Sequence, residues 1–212
     1  MRGLFVTFEG VEGCGKSTQI TLLGQYLREC GHQVVLTREP GGTPVAEAIR
    51  GVLLTCGDES PSPMTELLLY AAARAQHVSA KISPALESGA VVLCDRFCDS
   101  TTAYQGGGRR LPEDVICRLN EYASLGIKPD LTLLLDLPVE EGLRRSSRRG
   151  ALDRIEGESL EFHQRVRGAF LALAAGEPGR ITIIDASGPV DAVAEAVRRR
   201  IDTLIAGRNQ TT

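Results

Sequence analysis

Residues Gly10-Val11-Glu12-Gly13-Cys14-Gly15-Lys16-Ser17 fit the pattern G-x-x-x-x-G-K-[ST] and stand between an apolar run at residues 4–8 and a helical pattern starting at Lys16. That placement constrains the fold more than anything else in the chain. A glycine-rich turn between a buried strand and a helix turns backbone N–H groups inward into an anion-binding nest, and the helix N-terminus adds its positive end. Lysine is scarce, present only at 16, 81 and 128, so composition does not explain one at this position. Its ammonium would reach the β- and γ-phosphates of a nucleoside triphosphate such as ATP, the Ser17 hydroxyl would ligate Mg²⁺, and Thr18 follows them in the phosphate-binding set.

Four more apolar runs, at residues 33–37, 90–94, 131–135 and 181–184, lack polar alternation and read as strands covered on both faces. Helical patterns lie between them. The first closes near Cys30-Gly31. Another sets Val45, Ala46, Ile49, Val52 and Leu53 on one face, and the last repeats Val190, Val193, Ala194, Val197, Ile201, Leu204 and Ile205 at helical spacing. Residues 59–63 read as a loop before a long helical region through Glu87. Residues 105–110, with three consecutive glycines, read as a flexible connection before a helix opened by Leu111-Pro112. Strands alternating with helices predict an α/β fold: a five-stranded parallel sheet flanked by helices on both faces, in one domain over residues 1–212.

Composition narrows the setting. With 212 residues, 42% of them hydrophobic, and a net charge of −3, the chain can bury a good core but has no electrostatic footprint for nucleic acid or an anionic membrane. The first residues lack the apolar core and cleavage site of a signal peptide, and no apolar run approaches the ~20 residues of a membrane span. The expectation is a soluble, cytoplasmic protein with no membrane and no nucleic-acid partner. Six scattered cysteines without a C-x-x-C pair are expected to be mostly buried thiols.

No guanine-reading N-K-x-D segment is present. A second polar cluster instead follows the third apolar run, Asp95-Arg96-Phe97-Cys98-Asp99-Ser100-Thr101-Thr102-Ala103-Tyr104-Gln105. A carboxylate at the carboxyl end of a buried strand sits where open α/β sheets bind ligands, and Arg96 adds a fork-shaped cation for phosphate oxygens. Four segments in order then carry a resemblance. They are Phe8-Glu9-Gly10 leading into the phosphate loop, Thr37-Arg38-Glu39-Pro40-Gly41-Gly42-Thr43, Asp95-Arg96 through Ser100 to Ala103-Tyr104-Gln105, and Asp153-Arg154-Ile155-Glu156. Together the sequence resembles the thymidylate kinase family, of the P-loop nucleoside monophosphate kinase fold.

The resemblance implies ATP-dependent phosphorylation of dTMP to dTDP with Mg²⁺ held near Ser17 and Asp95, and a homodimer. Another nucleoside monophosphate kinase on the same framework is the alternative. It implies that Arg38 and Arg96 hold the dTMP phosphate, with Pro40 nearby, and that Glu12 binds the sugar 3′-hydroxyl. Tyr70 would stack on thymine, Arg74 would read its O4, and Tyr104 would crowd the 2′ position. Ser100, Thr101 and Gln105 are left as candidates for the base edge. The family divides by whether its catalytic arginine sits in the phosphate loop or in a lid. Gly13 stands where the first group has a basic residue, which assigns the charge to a lid at about residues 144–156. Arg149 and Arg154 lead there, with Arg148 next, beside Lys16 and Arg96 as catalytic cations. The acceptor phosphate has a second pKa of ~6 and needs no general base, and none of His32, His77 and His163 is assigned a catalytic role.

Overall fold

The computed structural model describes residues 2–57, 59–148 and 153–209. The apolar runs form five strands, the first three displaced by one residue from their sequence reading and the last two one residue longer: β1 Phe5–Glu9, β2 Val34–Arg38, β3 Val91–Asp95, β4 Leu131–Asp136 and β5 Ile181–Asp185. They pair in parallel in the order β2-β3-β1-β4-β5. All carboxyl ends therefore lie along one edge, with β1 and its phosphate loop at the centre. Between the strands run α1 Lys16–Glu29, α2 Pro44–Leu54, α3 Pro63–His77, α4 Ser83–Glu87, α5 Cys98–Thr101, α6 Glu113–Ser124, α7 Val139–Ser147, α8 Leu160–Gly176 and α9 Val190–Asn209.

Both faces of the sheet are covered because side chains alternate along each strand. On one face Val6 and Phe8 of β1 pack with Ile20, Leu23 and Leu27 of α1 and with Val193, Val197 and Ile201 of α9. On the other face Phe5 meets Val78, Ile82 and Leu86, and its ring stands edge-on to Phe97 at 5.0 Å. Farther along that face, Leu134 and Ile181 join Tyr104 and the α8 residues Phe162, Val166 and Phe170. The long helical region through Glu87 is present, as α3 and α4 joined by a π-helical turn at Val78–Ile82.

Three readings need correction. Residues 105–110 are not a flexible connection, because Thr102–Gly108 is a π-helical segment packed on α8. Its glycines allow close approach: a Cβ on Gly107 would lie 2.6 Å from that of Ala169, and one on Gly108 2.5 Å from the Phe162 ring. The apolar face of α2 is only half used. Ala46 and Leu53 are buried, while Val45 and Val52 are 54% and 58% exposed. The cysteines are not mostly buried either. Cys14 and Cys94 are, but Cys30, Cys56 and Cys117 are exposed, since helix ends, loops and outward helix faces place them outside the core.

Gly107→Ala distinguishes the packed segment from a flexible one. Overpacking against α8 is expected to lower stability by about 1–3 kcal/mol, read as a fall in Tm, whereas in a flexible connection the same change stabilises by about 0.4–1 kcal/mol.

Candidate active site

The carboxyl ends of β1, β2 and β3 deliver the loop from Gly10, the pair Arg38 and Glu39, and the pair Asp95 and Arg96, all onto one cavity of about 320 Å³. Lys16 is nearly buried, and its Nζ donates to the carbonyls of Gly10 and Val11, each at 3.1 Å. The ammonium is thus held over the loop it serves. Ser17 Oγ donates to Asp95 Oδ2 at 3.0 Å, which brings two hard oxygen atoms together where the helix α1 begins. Gly13 has φ +69°, and a Cβ there would lie 2.0 Å from the carbonyl oxygen of Gly142 in α7. No side chain fits at 13, so the loop has no room for an arginine.

Arg96 joins the two halves of the cavity. Its guanidinium pairs with Glu12 at 2.8 Å, donates to the Gly10 carbonyl and the Ser100 hydroxyl, each at 3.1 Å, and lies over the Tyr104 ring at 4.9 Å. Its backbone has φ +71°, the left-handed region that a large side chain rarely adopts, as befits a residue held in place by its neighbours. Tyr104 donates its hydroxyl to the same Glu12 oxygen at 2.7 Å. Burial works against ionisation of Glu12, but Arg96, Lys16 and the Tyr104 hydroxyl outweigh it and draw its pKa down to about 2. Behind them Glu9 is wholly buried and accepts from the backbone N–H groups of Phe97 and Ser100 and from the Ser100 hydroxyl. Burial and the nearby Asp99 push its carboxyl up to about 8.

At the far end of the cavity Arg74 is almost fully buried. Its Nε donates to Glu39 at 2.8 Å, Nη1 to Asn120 at 2.8 Å and Nη2 to Thr101 at 2.9 Å. His77 completes that network, bonded to Glu39 at 3.0 Å and Thr37 at 2.6 Å, a positional role for a histidine inside the fold. Tyr70, one helical turn before Arg74, lines the cavity with it, as do Pro40 and Gln105. Arg38 reaches the rim, half exposed and paired with Glu47 at 3.0 Å. Beside it is Arg50, which the sequence reading missed: it lines the same cavity and donates to the Pro40 carbonyl at 2.9 Å. Burial and the neighbouring Arg38 lower its pKa. The available signal was an arginine within the apolar pattern of α2.

The expected lid meets the cavity through Asp153, Ile155 and Glu156. Its arginines are placed less simply. Arg154 does not line the cavity; it pairs with Glu66 at 2.6 Å and donates Nε to the Leu53 carbonyl at 2.8 Å. Arg148 is exposed just after α7, and Arg149 lies outside the described residues.

A sequence profile described as thymidylate kinase matches residues 8–197. The chain belongs to the thymidylate kinase family. It is 58% identical over 201 residues to a thymidylate kinase of Geobacter sulfurreducens, covering 92% of this chain and 94% of that one. It is 55% identical over 205 residues to one of Pseudomonas fluorescens, with 97% and 98% covered. A crystal structure of thymidylate kinase from Ehrlichia chaffeensis superposes with a TM-score of 0.78 at 33% identity, covering 95% of this chain and all of that one. The family is one of phosphotransferases, and the five-stranded parallel sheet is its P-loop nucleoside monophosphate kinase fold. No described helix is long and apolar enough to cross a membrane.

Proposed function

We infer that the chain transfers the γ-phosphoryl group of ATP to dTMP, giving dTDP and ADP in the cytoplasm. One observation carries this reading: the phosphate loop and the side chains expected around the acceptor, Arg38, Tyr70, Arg74, Tyr104 and Gln105, line one cavity, bridged by the Arg96–Glu12 pair. The loop and Lys16 take the β- and γ-phosphates of ATP. Ser17 and Asp95, whose oxygens already meet at 3.0 Å, suit the hard, oxygen-seeking Mg²⁺. That ion would neutralise phosphate charge. Arg96, with Arg38 and Arg50 at the rim, would hold the acceptor phosphate, whose oxygen needs no base to attack. Catalysis then rests on alignment and preorganised charge.

Glu12, ionised beneath Tyr104, is poised to accept from a sugar 3′-hydroxyl, while the Tyr104 ring occupies space beside it. Tyr70 offers a face for the base. A guanidinium carries five N–H groups and Arg74 gives one each from Nε, Nη1 and Nη2 to the protein. Among the described residues, one N–H on each Nη is left for a carbonyl such as thymine O4. Of the three candidates for the base edge, Thr101 is engaged by Arg74, and Ser100 by Glu9 and Arg96. Gln105 remains, with its amide nitrogen on Glu66 and its carbonyl oxygen without a partner among the described residues. We assign it to thymine N3–H. Since the loop cannot hold a basic residue at 13, the transferring phosphoryl group takes its cationic partner from the lid. Arg149 and Arg148 are assigned there, and Arg154 once it leaves Glu66.

The exposed Val45 and Val52 of α2 and Leu68 of α3, helices that pack on one another, form the face we assign to a homodimer.

A panel of dTMP, dCMP, UMP and AMP with ATP, scored by ADP formation, is expected to favour dTMP by at least about a hundredfold; equal activity on another monophosphate would support the wider kinase reading instead. Arg149→Ala and Arg154→Ala should each lower kcat by about tenfold or more with little change in KM for dTMP, and the reverse pattern would remove them from the lid role. Light scattering after size exclusion should give the mass of two chains, reduced to one by Val52→Glu; a wild-type monomer rules the dimer out.

A further inference from the structure

Glu66 lies on α3, wholly buried, between the base pocket and the expected lid, and none of the roles above uses it. Its Oε1 accepts from Gln105 Nε2 at 2.9 Å and from Arg109 Nε at 3.1 Å. Its Oε2 accepts from Arg109 Nη2 at 3.1 Å and meets Arg154 Nη2 at 2.6 Å. Arg109 is itself held, paired with Glu158 at 2.6 Å and lying over the Phe162 ring at 4.7 Å. Burial favours the neutral acid at Glu66, but the bonds from Arg109, Gln105 and Arg154 hold its carboxyl below the usual range. The group is a carboxylate and only accepts.

Gln105 has two chemically opposite ends: an NH₂ that donates and a carbonyl that accepts. Because Glu66 only accepts, Gln105 must turn its NH₂ toward it. The carbonyl oxygen is then the polar atom left for whatever occupies the cavity. Without a fixed acceptor at 66 the amide could turn over and offer its NH₂ instead.

We propose that Glu66 is a positioning residue that sets the base specificity of the enzyme, by locking the Gln105 amide with its carbonyl oxygen presented to the base. Beside the spare N–H groups of Arg74, this makes a donor next to an acceptor. Thymine complements both, with its O4 and N3–H. Cytosine offers an amino group and a bare N3 at the same places and mismatches both, leaving buried groups unpaired. The inference rests on the assignment of Gln105 to the base edge made above.

The test measures kcat/KM for dTMP and for dCMP with the full-length wild type, Glu66→Gln and Gln105→Met, alongside Tm. Glu66→Gln keeps the shape but can donate as well as accept, so it releases the amide. The dTMP-to-dCMP ratio should fall by about tenfold or more, through a raised KM for dTMP and new activity on dCMP. A residue that only stabilised the fold would lower both activities together. A ratio within about twofold of wild type in folded Glu66→Gln overturns the proposal. Gln105→Met separates the two layers: an unchanged ratio there sinks the assignment of Gln105 itself, while a collapsed ratio there with an intact one in Glu66→Gln sinks only the role of Glu66. Should Glu66→Gln not fold, ¹⁵N NMR of the ligand-free wild type decides, the Gln105 side-chain NH₂ being expected to exchange slowly with solvent. Rapid exchange, as for an NH₂ facing the open cavity, overturns the proposal.

Discussion

The ion pair between Arg96 and Glu12 organises the cavity. Arg96 closes β3, its backbone N–H donates to the Phe8 carbonyl of β1 at 2.9 Å, and its side chain reaches the Gly10 carbonyl at the root of the phosphate loop. Glu12 sits inside that loop. One contact therefore joins the phosphate loop to the end of β3, and the Tyr104 ring and hydroxyl fix it in place. For a reaction whose nucleophile arrives already deprotonated, little else is asked of the protein than such fixed alignment.

Buried carboxyl groups recur around this pair, each with its own cations or donors. Glu39 faces Arg74 and His77, Glu66 faces Arg109 and Arg154, and Glu9 takes two backbone N–H groups and a hydroxyl. Replacing a buried ion pair by packed hydrocarbon is often neutral or stabilising, so net stability is a poor reason for these networks. Their effect is on orientation. Arg74 and Gln105 each reach the cavity with some polar atoms already committed, and what remains uncommitted is what a ligand meets.

Glycine serves here mainly as close approach. Gly13 lets α7 come against the phosphate loop, at a φ that favours glycine and with no space for a Cβ. Gly107 and Gly108 let the π-helical segment that carries Gln105 lie against α8. The first has a chemical consequence, since it leaves no room for a basic side chain at position 13 of the loop. The second carries Gln105 to the cavity through packing that a glycine run in a sequence does not distinguish from looseness.

Much of this was legible beforehand. Uninterrupted apolar runs marked the five strands, because a strand covered on both faces needs no polar alternation. The strand–G-x-x-x-x-G-K-[ST]–helix context marked the phosphate loop, because anion binding there is a local property of backbone and helix end. Arg50 showed only as an arginine within an apolar pattern, and neither the π-helical segment nor the exposure of Val45 and Val52 was legible, since both depend on what packs alongside. The same holds for the base edge. From sequence, Ser100, Thr101 and Gln105 were equivalent candidates; the fold separates them by bringing up Arg96, Arg74 and Glu66, whose hydrogen bonds span from 4 to 39 residues. The sequence by itself determined the strand–G-x-x-x-x-G-K-[ST]–helix unit and which family the chain joins, since both are written in contiguous residues. Which polar atoms remain free to read a substrate was decided only by the tertiary structure, because most partners that engage the rest are distant in the chain.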